Sequence, residues 1–202
     1  MARVSSTVEQ NAPNYLMLNV QSVHLTDRQF YRLCQDNPDL RVELTAQRKL
    51  VITSPTGSKT GWRNSKINQR LANWTEENGT GVAFDSSTGF TLPNGAKRSP
   101  DAAWVRREAW DALTEEQQED FAPICPDFVI ELRSTNDSLT SLEQKMNEYV
   151  ENGSQVGWLF DAKSKRVGIF RPNQAVEILE NPSTINGDPV LPGFAFDLRE
   201  IW

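Results

Sequence analysis

The sequence predicts a mixed α/β fold, a β-sheet with helices packed on it in one domain. Three observations carry that expectation. Strand-like runs outnumber helical ones. One helical run, at 138–152, is bracketed by apolar strand-like runs at 127–133 and 156–160, a strand–helix–strand unit. The chain has 202 residues, 38% hydrophobic and 24% charged, enough for one sizeable core.

The elements follow in order. Residues 1–25 lack periodicity and are expected as an N-terminal arm, at most partly ordered; 26–202 form the domain. Thr26 caps a helix with Phe30, Leu33 and Cys34 on one face, and Asn37-Pro38 ends it. Runs at 41–45 and 49–53 are spaced as a hairpin. A loop at 54–58 precedes a helix from about residue 60 to 78, with Trp62, Ile67, Leu71 and Trp74 as its apolar stripe and Asn78-Gly79 as its stop. Runs at 82–85 and 89–92 read as a strand pair around Ser86-Ser87. A strand opens at Asp101, and the acidic segment 108–120 reads as a surface helix or lid. The strand at 127–133 leads into the helix at 138–152, with Thr140 and Glu143 in capping-box spacing and Leu139, Leu142, Met146, Tyr149 and Val150 on one face. Runs at 156–160, 166–170 and 175–179 are strands.

The composition narrows the function. Net charge is −6, against a general nucleic-acid binder, though a local basic stripe can sit on an acidic domain. No apolar run reaches the ~20 residues of a membrane span, and Met1–Ser6 shows no apolar signal core, so a cytoplasmic protein is expected. Cys34 and Cys125 have no metal-ligand spacing and are expected as reduced thiols. The single histidine, His24, excludes a histidine-dependent triad or zinc finger.

Two acids stand out because charges within apolar strands are costly unless paired, hydrogen-bonded or metal-bound. Side chains alternate along a strand. Phe128, Ile130 and Leu132 therefore share a core face, while Asp127, Val129, Glu131 and Arg133 share the other. Asp101 opens its strand after Pro100. If the two strands are neighbours, Asp101 and Glu131 lie about 5 Å apart, where two carboxylates repel unless a cation sits between them. Mg²⁺ suits one or two carboxylates with retained waters. Lys145 borders the apolar stripe of the following helix and could reach the same point. Competing structural readings stand beside these: Asp101 as a turn cap, Glu131 paired with Arg133 or Lys145, and Lys145 snorkelling to solvent. Arg133 could bind phosphate or hold Glu131. Arg63, Lys66 and Arg70 fall at i, i+3, i+7 and could neutralise phosphates, or form a solvated face.

Pro100-Asp101 followed by Glu131-Leu132-Arg133 resembles the PD-(D/E)XK nuclease signature. The longer run resembles the Uma-two family of endonucleases: Val42-Glu43-Leu44, Ser99-Pro100-Asp101-Ala102, Pro126–Leu132 with Ser134, Gln144–Tyr149, Gly153, Trp158–Asp161 and Leu191–Phe194. The resemblance covers 26–202. It implies a restriction-endonuclease-like mixed sheet flanked by helices. It also implies Asp101 and Glu131 as metal-binding acids, Lys145 as a catalytic lysine moved from strand to helix, and Glu43 as an extra acid at the site. The strand position where the signature carries lysine is Arg133.

The leading expectation is a Mg²⁺-dependent endonuclease (Mn²⁺ as the alternative ion) that cleaves DNA by metal-activated water. Arg63, Lys66, Arg70 and Arg133 would contact the backbone, and Ile201-Trp202 offers an exposed end for a homodimer. The alternatives are an inactive nucleic-acid-binding or regulatory module on the same fold, and a two-carboxylate glycosidase.

Overall fold

The computed structural model describes residues 15–202. Tyr15–Asn19 (β1) pairs along its whole length with Lys49–Thr53 (β3). The expected arm thus contains a strand at Tyr15–Asn19 and a 3-10 turn at Gln21–Val23; its residues 1–14 lie outside the described residues. Asp27–Asp36 (α1) starts in a capping box made by Thr26 and Gln29. Arg41–Leu44 (β2) and β3 form the expected hairpin. Ser58–Asn78 (α2) ends at Gly79, whose φ of +71° is the left-handed turn that glycine adopts without strain.

The strands form two large sheets and one two-stranded hairpin. The first is antiparallel and runs β1-β3-β2-β6-β5, with Phe90–Thr91 as β5 and Lys97–Arg98 as β6. The second runs β11-β10-β9-β8-β7-β4, with Gly81–Asp85 as β4, Ala102–Arg106 as β7, Phe128–Leu132 as β8, Val156–Asp161 as β9, Arg166–Phe170 as β10 and Glu177–Glu180 as β11. The runs around Ser86-Ser87 therefore do not pair with each other. β4 joins β7 and β5 joins β6, one in each sheet. Leu139–Glu151 (α5) is the crossover between parallel β8 and β9. Its cap is Ser138, which accepts from the Ser141 N–H; the expected Thr140–Glu143 box does not form. The acidic segment makes two short surface helices, Arg107–Asp111 (α3) and Glu115–Glu119 (α4). Thr184–Asn186 (β12) and Ala195–Asp197 (β13) close the chain as a hairpin.

Alternation sends the strand residues to two buried layers. Ala102, Trp104, Phe128, Ile130 and Leu132 pack with Ile67 and Leu71 of α2 and with Phe194 and Ile201 of the C-terminal segment. Ala103, Val105 and Val129 pack with Met146 and Tyr149 of α5. Both faces of the second sheet are thus covered, and Glu131 lies under α5. A third layer joins Phe30 of α1 to Val42, Leu44 and Leu50 of the first sheet. Two expectations are corrected here. Trp62 is 49% exposed and stands outside the α2 stripe. Ile201 is fully buried and the Trp202 Nε1–H is donated to the Pro182 carbonyl, so the C-terminus is not a free apolar patch for a partner.

Gly81 lets the Trp104 ring lie across β4: a Cβ there would stand 2.3 Å from the ring. A buried indole cannot step aside, so Gly81→Ala is expected to cost about 1–3 kcal/mol. Urea unfolding checks this, and an unchanged midpoint would show that the ring is not held there.

Candidate active site

The chain passes from the first sheet to the second at Ser99-Pro100-Asp101, between β6 and β7. Proline has no amide hydrogen for a ladder, so it suits a point where pairing passes from one sheet to the other. The flanking groups stitch the seam. The Ser99 N–H is donated to Glu43 Oε1 on β2 (2.9 Å), and the Leu132 N–H is donated to Asp101 Oδ2 (2.8 Å). β7 and β8 are antiparallel neighbours with Ala102 opposite Ile130. One residue further along that register, Asp101 faces Glu131.

Lys145 enters from α5. Its ammonium lies 2.7 Å from Glu131 Oε1 and 2.8 Å from Glu43 Oε1. Tyr149, one turn on, donates its hydroxyl to Glu131 Oε1 (3.1 Å). Behind Glu43, Arg98 donates to Glu43 Oε2 (3.0 Å) and to Glu148 Oε2 (2.6 Å). Glu43, Asp101, Glu131 and Lys145 therefore converge, and all four line a cavity of about 890 Å³ between the open face of the first sheet and α5.

The electrostatics separate the acids. Burial would raise Glu43, but Lys145 and Arg98 outweigh it and hold its carboxyl at about 2. Burial dominates for Glu131, with Asp101 and Glu43 adding repulsion against the pull of Lys145, and its carboxyl is pushed up to about 7. Asp101 is raised by burial, against the Leu132 amide and the cations Lys145 and Arg41. Burial would lower Lys145, yet Glu131 and Glu43 raise it, so it stays an ammonium.

The donor set suits one hard divalent ion. Glu131 receives its hydrogen bonds on Oε1, and Asp101 receives its own on Oδ2. The other oxygen of each carboxylate has no hydrogen bond among the described residues. Also among the described residues, no three His, Cys, Asp or Glu side chains are placed to grip a metal. A cation here would rest on two carboxylates and water, which is the habit of Mg²⁺.

The other expected contacts fall elsewhere. Arg133 does not hold Glu131: β8 ends at Leu132, and the Arg133 guanidinium pairs with Asp161 (2.7 Å). The Arg63 Nε–H is donated to the Ile201 carbonyl (2.6 Å), and Arg70 pairs with Glu200 (2.9 Å). Arg63, Lys66 and Arg70 do not line the cavity, because that face of α2 meets the C-terminal segment. Sequence reasoning missed Arg98, Glu148 and Tyr149 as supports, and Arg41, which is 44% exposed on β2 with Nη2 3.8 Å from Asp101 Oδ1. The signal for Arg98 was its place two residues before Pro100.

The family model Uma2, described as "Putative restriction endonuclease", matches residues 27–199. The chain belongs to the Uma2 family. A solved structure described as a "putative nuclease belonging to DUF820", from Anabaena variabilis, is similar with a TM-score of 0.72 and 20% identity. The match covers 88% of this chain and 97% of that one. At that identity the likeness carries the fold, which is restriction-endonuclease-like. No curated protein matches the chain. Among the described residues, no helix is long and apolar enough to cross a membrane.

The raised Glu131 carboxyl has a measurable consequence. Its folded value, about 7, stands above its ordinary 4.5. The folded state therefore binds the extra proton between those values, and stability falls as pH rises through that window. The difference amounts to about 3 kcal/mol. In chelator-containing buffer, Glu131→Gln is expected to match wild type near pH 5 and to exceed it by up to about 3 kcal/mol near pH 8. Urea midpoints across that range test this, and a gap that does not grow with pH would show that Glu131 is not raised.

Proposed function

We propose that this Uma2 protein is a Mg²⁺-dependent endonuclease of the cytoplasm that hydrolyses DNA phosphodiester bonds. The observation that supports this reading best is the convergence of Asp101, Glu131, Glu43 and Lys145 on one cavity from four separate elements. Asp101 and Glu131 would hold the cation through the oxygens that lack donors. The bound ion would polarise a phosphoryl oxygen and make a water molecule acidic enough to attack. Lys145, kept protonated by its two carboxylates, would donate to a phosphate oxygen and offset charge developing in the transition state. Glu43 orients that ammonium, and Arg98 holds Glu43. Arg133 takes no part in this set, because it is committed to Asp161.

A second reading keeps one specific observation in its favour. Both carboxylates sit within 2.8 Å of Lys145, a closed clamp that a non-cutting nucleic-acid-binding module could use for structure alone.

Incubation of supercoiled plasmid with the protein and millimolar Mg²⁺ or Mn²⁺ separates them. Nicked and linear products are expected from wild type, with rates down about a hundredfold or more in Asp101→Ala, Glu131→Gln and Lys145→Met. Equal cutting by wild type and Asp101→Ala would overturn the site. DNA binding without cutting, and without metal affinity by calorimetry, would favour the inactive module.

A further inference from the structure

A second, smaller pocket adjoins the cavity. Arg63, Arg133 and Lys163 line it, together with Thr60, Ser134 and Asp161. Thr60 and Ser134 line the large cavity as well, so the two spaces meet along those residues. We propose that this pocket anchors a phosphate of the nucleic-acid backbone on the same strand that enters the cavity. The inference rests on the nuclease reading and names a contact that the same substrate makes.

The charges carry it. Three cations line the pocket against one carboxylate, and that carboxylate is already used. Asp161 Oδ2 accepts from Arg133 (2.7 Å), and Oδ1 accepts the Lys163 and Ser164 N–H groups (3.1 and 3.3 Å). Arg133 spends Nε on the Asp137 carbonyl and Nη1 on Asp161, while Arg63 spends Nε on Ile201. Among the described residues, the remaining guanidinium N–H groups of both, and the ammonium of exposed Lys163, have no hydrogen-bond partner. A singly charged phosphodiester would meet two planar donors, one ammonium and the Thr60 and Ser134 hydroxyls, the donor set that binds phosphate best.

The helix end adds to this without making the pocket. Thr60 lies in the first turn of α2, whose cap is Gly57 with no side chain to satisfy the free N–H groups. The pocket also lies past the C-terminal ends of parallel β8 and β9, where α/β sheets commonly bind ligands. Arg63 and Arg133 thus meet here, although neither reaches the acids.

Lys163 is the residue to change, because none of its side-chain atoms supports the fold through a hydrogen bond among the described residues. Binding of a labelled DNA oligonucleotide is measured in chelator by fluorescence anisotropy across a salt series. Lys163→Ala is expected to weaken binding by about three- to tenfold and to make the log Kd against log salt slope shallower by about one. Lys163→Glu should weaken it further, while Arg199→Ala, a cation outside the pocket, should match wild type. In a parallel arm, inorganic phosphate is expected to raise the unfolding midpoint of wild type and not that of Lys163→Glu.

Equal DNA affinity and slope in wild type and Lys163→Glu would overturn the anchor, as would equal protection of both by phosphate. A wild type that binds neither probe would overturn it too. If the wild type never cuts plasmid but Lys163→Glu still loses DNA affinity, the nuclease reading fails and the pocket stands.

Discussion

The structure turns on one ammonium group held between two carboxylates that belong to different sheets. Glu43 comes from the first sheet and Glu131 from the second; Lys145 stands 2.8 and 2.7 Å from them. None of the three is tolerable alone in this place. A buried lysine without a partner would lose its proton, and two neighbouring carboxylates without a cation would repel. Removing the ammonium, which would leave two buried carboxylates facing each other, typically costs about 3–5 kcal/mol. The clamp therefore constrains how the sheets meet, and the seam at Ser99–Asp101 is tied to the same residues through the Ser99 amide.

The wider cluster is not neutral. Among the described residues, Glu43, Asp101, Glu131 and Glu148 face two largely buried cations, Lys145 and Arg98, with Arg41 half-exposed at the edge. Without a bound cation, the surplus falls most on Glu131, the most deeply buried of the four, whose carboxyl is pushed up to about 7 by burial and by its neighbours Asp101 and Glu43. Glu43, braced by two cations, stays ionised. A divalent ion between Asp101 and Glu131 would relieve the same surplus from the other side. Protonation and a bound cation would be two solutions to one electrostatic problem, and the same problem makes Asp101 and Glu131 conspicuous in the sequence.

What was legible in the sequence follows the range of the interaction. β8, α5 and β9 were readable because alternation and helical periodicity are local, and the face that buries Met146 and Tyr149 also places Lys145. The Thr26 cap and the Gly79 stop are local too. The runs around Ser86-Ser87 misled because their spacing suits a hairpin, while β5 finds its partner in β6 and β4 in β7. Arg98 pairs with Glu43 and Glu148 across 55 and 50 residues of chain, and no spacing rule reaches that far. The partners of the basic stripe of α2 are equally remote in the sequence. Charge alone could not show that Arg63 and Arg70 meet residues of the C-terminal segment.

Arg133 shows why the cation beside Glu131 comes from the helix and not from the strand. Strict alternation would set it beside Glu131, two positions away on the same face. The strand stops at Leu132, however. Arg133 then gives its amide to the Phe160 carbonyl and its guanidinium to Asp161. That bond keeps the end of β8 against β9, so restoring the guanidinium to the acids would undo the strand pair that positions Glu131. A lysine on α5 avoids the conflict. It reaches Glu131 from above the sheet while the helix that carries it is fixed independently by Met146 and Tyr149. Placing the cation on the crossover helix thus leaves the strand end free to hold the sheet together, and the two tasks no longer compete for one residue.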